Sequence, residues 1–412
     1  MLEAHLQTPI TRERLRAGPA ADHIDKFADW LHVRGYTPIT IVCQLRSLAG
    51  WTDWMLARGF TAQDVVPGFE ACKAALKVEP RIRHSRGPNQ QSIAVASLFI
   101  RFLREEGAVP YPELAPSVSE RWPLLGEFRS WMQQHRGLTE TTLDVYQGIL
   151  VGFLDTLGAE VSAYTEESLR SFVFERARPH GIQRAKSITV AVRAFLRFLG
   201  ATGQCRSGLQ HAIPGFASWQ HSTVPRFLGA KDVEQLIDSC GDDTNGRRDR
   251  AVLLLLARLG LRASEVAELR IADIDWRNGR FMVCGKARRQ DLLPLPQDVG
   301  DAILCYLQRS RPSLPLPEVF ITVAAPLRPL TRAAVTQIVR SALHRTGIIS
   351  PINGAHVLRH SAATTMIRNG VSLAGVGAVL RHRSPMTTAH YAKVDFSLLS
   401  EIAQPWPEVF SC

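Results

Sequence analysis

The sequence predicts a mainly α-helical chain whose only β-structure is a small sheet in an α+β C-terminal domain, preceded by two helical domains. Three observations predict this. Apolar residues recur at helical spacing through the first half, with no strand-like alternation. One helical unit is written there twice. Beyond residue 270, two β-rich runs flank Asn278-Gly279, the signal of a hairpin.

In the first copy, Phe27, Trp30 and Leu31 precede Arg34-Gly35 and Thr37, and Ser92-Ile93 lead to Phe99, Phe102 and Leu103. In the second, Phe128, Trp131 and Met132 precede Arg136-Gly137 and Thr139, with one residue inserted, and Ser187-Ile188 lead to Phe195, Phe198 and Leu199. Proline-rich sequence from Val109 to Pro123 separates the copies, as a linker would, and a second break carries Gly208, Pro214 and Gly215. The expected layout is a helical domain at 1–108, a linker at 109–122, a second helical domain at 123–204, a linker at 205–226 and the C-terminal domain at 227–412. Trp30, Trp51, Trp54 and Trp131 are expected in the helical cores.

In the C-terminal domain, Leu228 to Leu236 opens with a helix, and Arg248 to Leu256 reads as a buried one. Its apolar stretch, Ala251 to Ala257, is far too short to span a membrane. A strand on each side of Asn278-Gly279, a turn at Gly285-Lys286-Ala287-Arg288-Arg289 and a strand at Leu292 to Leu295 make the sheet. His356 opens a helix that stops at Asn369-Gly370. Ser372 caps the next, which ends at Leu380, and Ser384-Pro385 start a last helix carrying Tyr391 about two turns on.

The 412 residues suit about two to three domains, and 45% hydrophobic content is ample for packed cores. A net charge of +11 favours a polyanionic partner such as DNA. Met1 to Ala20 is polar, so no signal sequence is expected. Seven scattered cysteines, odd in number and without C-x-x-C, argue against a disulfide framework or zinc site and fit a reducing cytosol. Cys284 is expected to pack inward from its strand. No acidic cluster or Walker-type loop is present, so neither metal nor nucleotide cofactor is expected.

The chemistry is concentrated in six residues. Tyr391 lies nine residues after His382, which lies 26 after His356; Arg359 shares a helix face with His356, and Arg262 and Lys286 stand upstream. Taken singly each is ordinary. Together they are what phosphodiester transfer without metal needs. Arg262 and Arg359 can clamp the non-bridging oxygens of a pentacoordinate phosphate. Tyr391 can attack, forming a covalent phosphotyrosine. Lys286 can protonate the departing oxygen. His356 and His382 can donate to the phosphate or accept the tyrosine proton. Glu265 is a helix-start acid favoured by the dipole, or a group that orients Arg262.

This set, in this order, resembles the active site of the tyrosine recombinases of phage-integrase type, over roughly Leu228 to Leu399. Arg381 stands before His382 where the family more often has glycine, and Ala355 before His356 where proline is common. The resemblance implies a site-specific recombinase or integrase that cuts and rejoins duplex DNA at short inverted-repeat sites through a 3′-phosphotyrosine. It also implies a homotetramer on DNA, with accessory or sister recombinases as further partners, in the bacterial cytoplasm at the nucleoid and away from membranes. The second helical unit resembles the core-binding domain, and the first resembles it too, as a SAM-like, core-binding-like domain. Two tandem units suggest a transposable element's integrase over a chromosome-dimer resolvase. A type IB topoisomerase-like relaxase would use the same chemistry on DNA lacking a site. A silent DNA-binding relic would lack it.

Both helical units carry a basic loop. Arg176, Arg178, Arg184 and Lys186 run without an acid, and Lys73, Lys77, Arg81, Arg83 and Arg86 are interrupted by Glu79. Either these form phosphate-binding edges, joined by Arg288 and Arg289 beside Lys286, or they are solvated loops. From Phe396 to Ile402 an apolar stripe at helical spacing is expected to dock on a neighbouring protomer, as the resemblance implies, or to fold back on its own domain.

Overall fold

The computed structural model describes residues 3, 6, 8–78, 90–112, 116–217, 225–285, 290–394, 399, 400 and 403, without the side chains of 77, 78 and 90. The chain divides into two compact units, Met1–Val109 together with Thr223–Cys412, and Pro110–Ser222. Lys286, Arg288, Arg289, Arg81, Arg83, Arg86 and most of the apolar tail lie outside the described residues.

The sequence repeat is also a repeat of side-chain packing. In the first copy, helices Ile24–Val33 and Gln90–Glu105 bring Phe27 edge-on to Phe99, ring centres 5.1 Å apart, and Trp30 edge-on to Phe102 at 5.8 Å. In the second, helices Pro123–Arg136 and Ile182–Ala201 bring Phe128 edge-on to Phe195 at 5.5 Å, and Trp131 to Phe198 at 5.8 Å. Edge-to-face pairs add to the burial of large rings, so each copy joins these two helices by the same phenylalanine contact. Trp51 is fully buried, and Trp30, Trp54 and Trp131 pack at the edges of their cores, as expected.

The two stretches read as linkers are partly folded. Ser117 caps the short helix Val118–Arg121 with Glu120, and Val118 and Trp122 pack on the second aromatic core. Leu209 and Ile213 are buried in that core as well, and Arg193 donates to the Ile213 carbonyl at 2.7 Å. Their prolines and glycines punctuate the chain, but the apolar residues between them are too costly to leave in water.

The C-terminal part has its own core. Helix Thr244–Arg258 is buried from Ala251 through Leu256, apolar all round as a central helix must be. The same core takes in Ile274, Phe281 and Val283 of an antiparallel sheet in the order β1 (Ile274–Asp275), β2 (Arg280–Cys284), β3 (Gln290–Pro294). The hairpin differs from a two-residue Asn-Gly turn. Asp275 pairs with Arg280, so four residues form the loop, with Gly279 at φ 60° closing it. Asp275 accepts from the Asn278 amide at 3.1 Å and its side-chain nitrogen at 2.7 Å, and this carboxylate cap stabilises the wider loop. Cys284 is exposed, contrary to expectation: Phe281 and Val283 take the inward positions of β2, and strand alternation turns residue 284 outward.

Candidate active site

Three short segments converge: Gly260 to Glu265, the start of helix His356–Arg368, and Leu380 to Tyr391. Arg359 ties them together. Its guanidinium is buried and donates to the carbonyls of Gly260 and Leu380, one from each flanking segment. Burial, and then Arg262, pushes its pKa down to about 10, which still leaves it charged at neutral pH.

Gly260 makes this approach possible. It sits at φ 58°, and a Cβ there would lie 2.5 Å from Leu380 Cδ2. Gly260→Ala is therefore expected to cost ~1–2 kcal/mol in backbone strain alone. It should also push Leu380 off its place, and with it one of the two carbonyls that hold Arg359. Chemical denaturation should show the stability loss, and a nicked suicide substrate a loss of cleavage.

Glu265 fulfils both readings of the sequence at once. Its carboxylate is buried; Oε2 accepts from the Arg262 amide at 2.8 Å, closing the helix start, and Oε1 accepts from the Arg262 guanidinium at 2.6 Å. It also pairs with Arg381 at 2.6 Å. Arg381 occupies the residue after the helix end in a left-handed conformation, φ 54°, where glycine is usual. The amides of Arg381 and His382 close the helix through the carbonyls of Ala378 and Gly377, at 3.0 and 2.9 Å. The departure from glycine is explained by what the side chain does: its buried pairing with Glu265 offsets the strain of the backbone.

Helix Leu373–Val379 is capped by Ser372, whose Oγ accepts from the Gly375 amide at 3.2 Å, as expected. Ser384-Pro385 start helix Pro385–Ala389, but Tyr391 lies just beyond it on a 3₁₀ segment, His390–Val394. The tighter turn carries the Tyr391 ring inward, leaving it 3% exposed. Burial raises its pKa, with Arg359 pulling the other way. His382 shares a hydrogen bond with the Thr388 hydroxyl at 2.9 Å, and its ring lies parallel to that of Tyr391, centres 6.4 Å apart. Burial, then Arg359 and Arg262, pushes His382 down to about 4. His356 is exposed at the mouth of the site, its pKa lowered by the surrounding chain and then by Arg359 and Arg262.

The sequence reading missed His360. Its Nδ1 lies 2.7 Å from the Tyr391 hydroxyl, and its ring meets that of His356 edge-on at 4.7 Å. The signal was available: His360 follows Arg359 directly and stands one helical turn after His356.

Of the expected phosphate-binding residues, Arg176, Arg178 and Arg184 are exposed and Lys186 is half-buried. Lys73 is exposed and pairs with Glu70 at 3.5 Å.

A family model for the phage integrase family matches residues 226–397. A putative integrase/recombinase designated y4rA, from Sinorhizobium fredii, is 37% identical over 95% of each chain. A second from the same strain, y4rF, is 32% identical over 99% of this chain and 96% of its own. Tyrosine recombinase XerD of Listeria innocua is 27% identical over 68% of this chain and 96% of its own. Among solved structures, XerH site-specific recombinase bound to a palindromic difH substrate has TM-score 0.56 at 20% identity, covering 75% of this chain and 94% of that one. A lambda integrase dimer bound to a core site has TM-score 0.53 at 17% identity, covering 70% and 98%.

Proposed function

This chain belongs to the phage integrase family, the tyrosine recombinases, and is a DNA strand transferase; we propose that Tyr391 is its nucleophile and that it serves the integration or transposition of a mobile element. The convergence of Arg262, Arg359, His356 and His382 on Tyr391 carries the assignment of the site. Arg359 and Arg262 hold the scissile phosphate and neutralise the charge it gains in the pentacoordinate state. Glu265 and Arg381 fix Arg262. His356 donates to a phosphate oxygen from the mouth of the site, with His382 behind it. Lys286 serves as general acid for the departing deoxyribose oxygen.

The layout of domains follows from the same reading. The repeat at 123–204 is the core-binding domain, the one at 1–108 is a second DNA-binding unit, and 227–412 is catalytic. Four strands must be cut with one tyrosine per chain, so a homotetramer on paired inverted-repeat sites is the active assembly, with sister recombinases as candidate partners. Two cloned copies of the DNA flanking the gene should recombine in cells expressing the protein. Relaxation of supercoiled plasmid without those copies, and no recombinant product, would point to a topoisomerase instead.

The basic loop of the second repeat gives a separate test. Removing Arg176 and Arg178 together should weaken binding evenly across DNA sequences and flatten the plot of log affinity against log salt by about 0.9 per lost phosphate contact. An unchanged slope would mean that this edge is a solvated surface.

A further inference from the structure

Residue 381, where the resembled family more often has glycine, carries an arginine that the fold alone does not account for. Its backbone holds φ 54°, a conformation that glycine adopts without strain. Its side chain is 7% exposed, and Nε is buried without an acceptor among the described residues. Nη1 reaches the Val379 carbonyl, two residues back, at 3.1 Å. A buried ion pair is a weak source of stability, so glycine would serve this turn at lower cost.

What Arg381 gains is half of Glu265. Its Nη2 donates to Oε2 at 2.6 Å, while Arg262 holds Oε1 of the same carboxylate at 2.6 Å. Nη2 of Arg262 also lies 3.5 Å from the Arg381 carbonyl, so the three groups form one cluster. Within it the Arg262 side chain is the open member, 36% exposed against 2% for Glu265. A phosphate approaching Arg262 therefore meets a guanidinium with a carboxylate bonded to it. Away from water that carboxylate would cancel much of the attraction Arg262 offers.

We propose that Arg381 is a positioning residue for charge: it neutralises Glu265, so that Arg262 presents its full positive charge to the scissile phosphate. The role rests on Arg262 holding that phosphate, and Arg381 itself does not touch it. Glu265 can then orient Arg262 without weakening it. The charge of Arg381 is felt across the site. After burial and Arg262 it helps push Arg359 down, and after burial, Arg359 and Arg262 it does the same to His382. The phosphodiester carries one negative charge at rest and two in the pentacoordinate state. Losing Arg381 should therefore slow cleavage more than it weakens DNA binding.

The test uses the full chain and single-turnover cleavage of a nicked suicide substrate at saturating enzyme. Arg381→Gly relieves the backbone and should fold, yet cleave at least ~10-fold slower with DNA affinity within a few-fold of the parent. Arg381→Lys keeps the charge and should stay near the parental rate. Adding Glu265→Gln to Arg381→Gly removes the carboxylate charge and should recover most of the loss. A second substrate carries a methylphosphonate at the scissile position, which removes one negative charge from the ground and pentacoordinate states alike. There the gap between the parent and Arg381→Gly should narrow. Parental cleavage of the phosphodiester by Arg381→Gly would overturn the proposal. So would an equal slowing on both substrates with no recovery in the double variant, which would leave Arg381 a support for the turn. Arg262→Ala, run alongside, keeps the two claims apart. Its cleaving at the parental rate sinks the phosphate clamp, whereas a slow Arg262→Ala beside a fast Arg381→Gly sinks only the role of Arg381.

Discussion

Tyr391→Phe should bind DNA with parental affinity and trap no covalent protein–DNA adduct on a nicked suicide substrate. The ring keeps its buried seat beside His360 and His382, so the fold should lose only the hydrogen bond to His360, a net ~0.5–1.5 kcal/mol. The reaction loses everything, since phenylalanine has no oxygen to bond to phosphorus. Gel mobility reports binding, and denaturing electrophoresis reports the adduct. An adduct of parental yield would move the nucleophile to another residue.

Arg262→Ala and Arg359→Ala should each lower the cleavage rate at least ~100-fold, the usual consequence of removing one donor to a developing oxyanion. Their effects on the fold should differ. Arg359 is buried and bridges the carbonyls of Gly260 and Leu380, so its loss leaves two acceptors unsatisfied and lowers stability as well as rate. Arg262 is partly open and leaning on Glu265, so its removal should spare the fold more. Lysine at 359 should rescue neither property, because a point charge cannot span two carbonyls as a planar fork does. Since guanidiniums supply the charge stabilisation, cleavage by the parental protein should persist in excess EDTA, measured in the same assay. Loss of cleavage on chelation would contradict the arginine clamp.

Much of the fold and site could be read from the sequence because the relevant signals are local. The helix of His356 and Arg359, its stop at Asn369-Gly370 and the Ser372 cap depend on residues a few positions apart, and they are found where the pattern puts them. The aromatic repeat was visible for the same reason: helical periodicity fixes which rings face the core. What escaped depends on contacts across the chain. Arg381 registered only as an odd residue in a glycine position, because its partner Glu265 lies 116 residues away in sequence. His360 was passed over because its partner hydroxyl is reached only when the 3₁₀ turn swings Tyr391 inward. The folded halves of the linkers were hidden by prolines, which mark where regular structure ends without saying whether the chain leaves the surface.

Three guanidiniums, those of Arg262, Arg359 and Arg381, crowd around the single carboxylate of Glu265. In the free chain this cluster is over-charged, and the mutual repulsion works against the packing that brings its members together. A scissile phosphodiester, held as proposed, would supply the missing anion. DNA would then act as a folding ligand, with stability expected to rise by RT ln(1 + [L]/Kd), about 2.7 kcal/mol when DNA exceeds its Kd a hundredfold. If these arginines clamp the scissile phosphate as proposed, the groups that serve the reaction are also the ones that make the free chain less stable than the DNA-bound one.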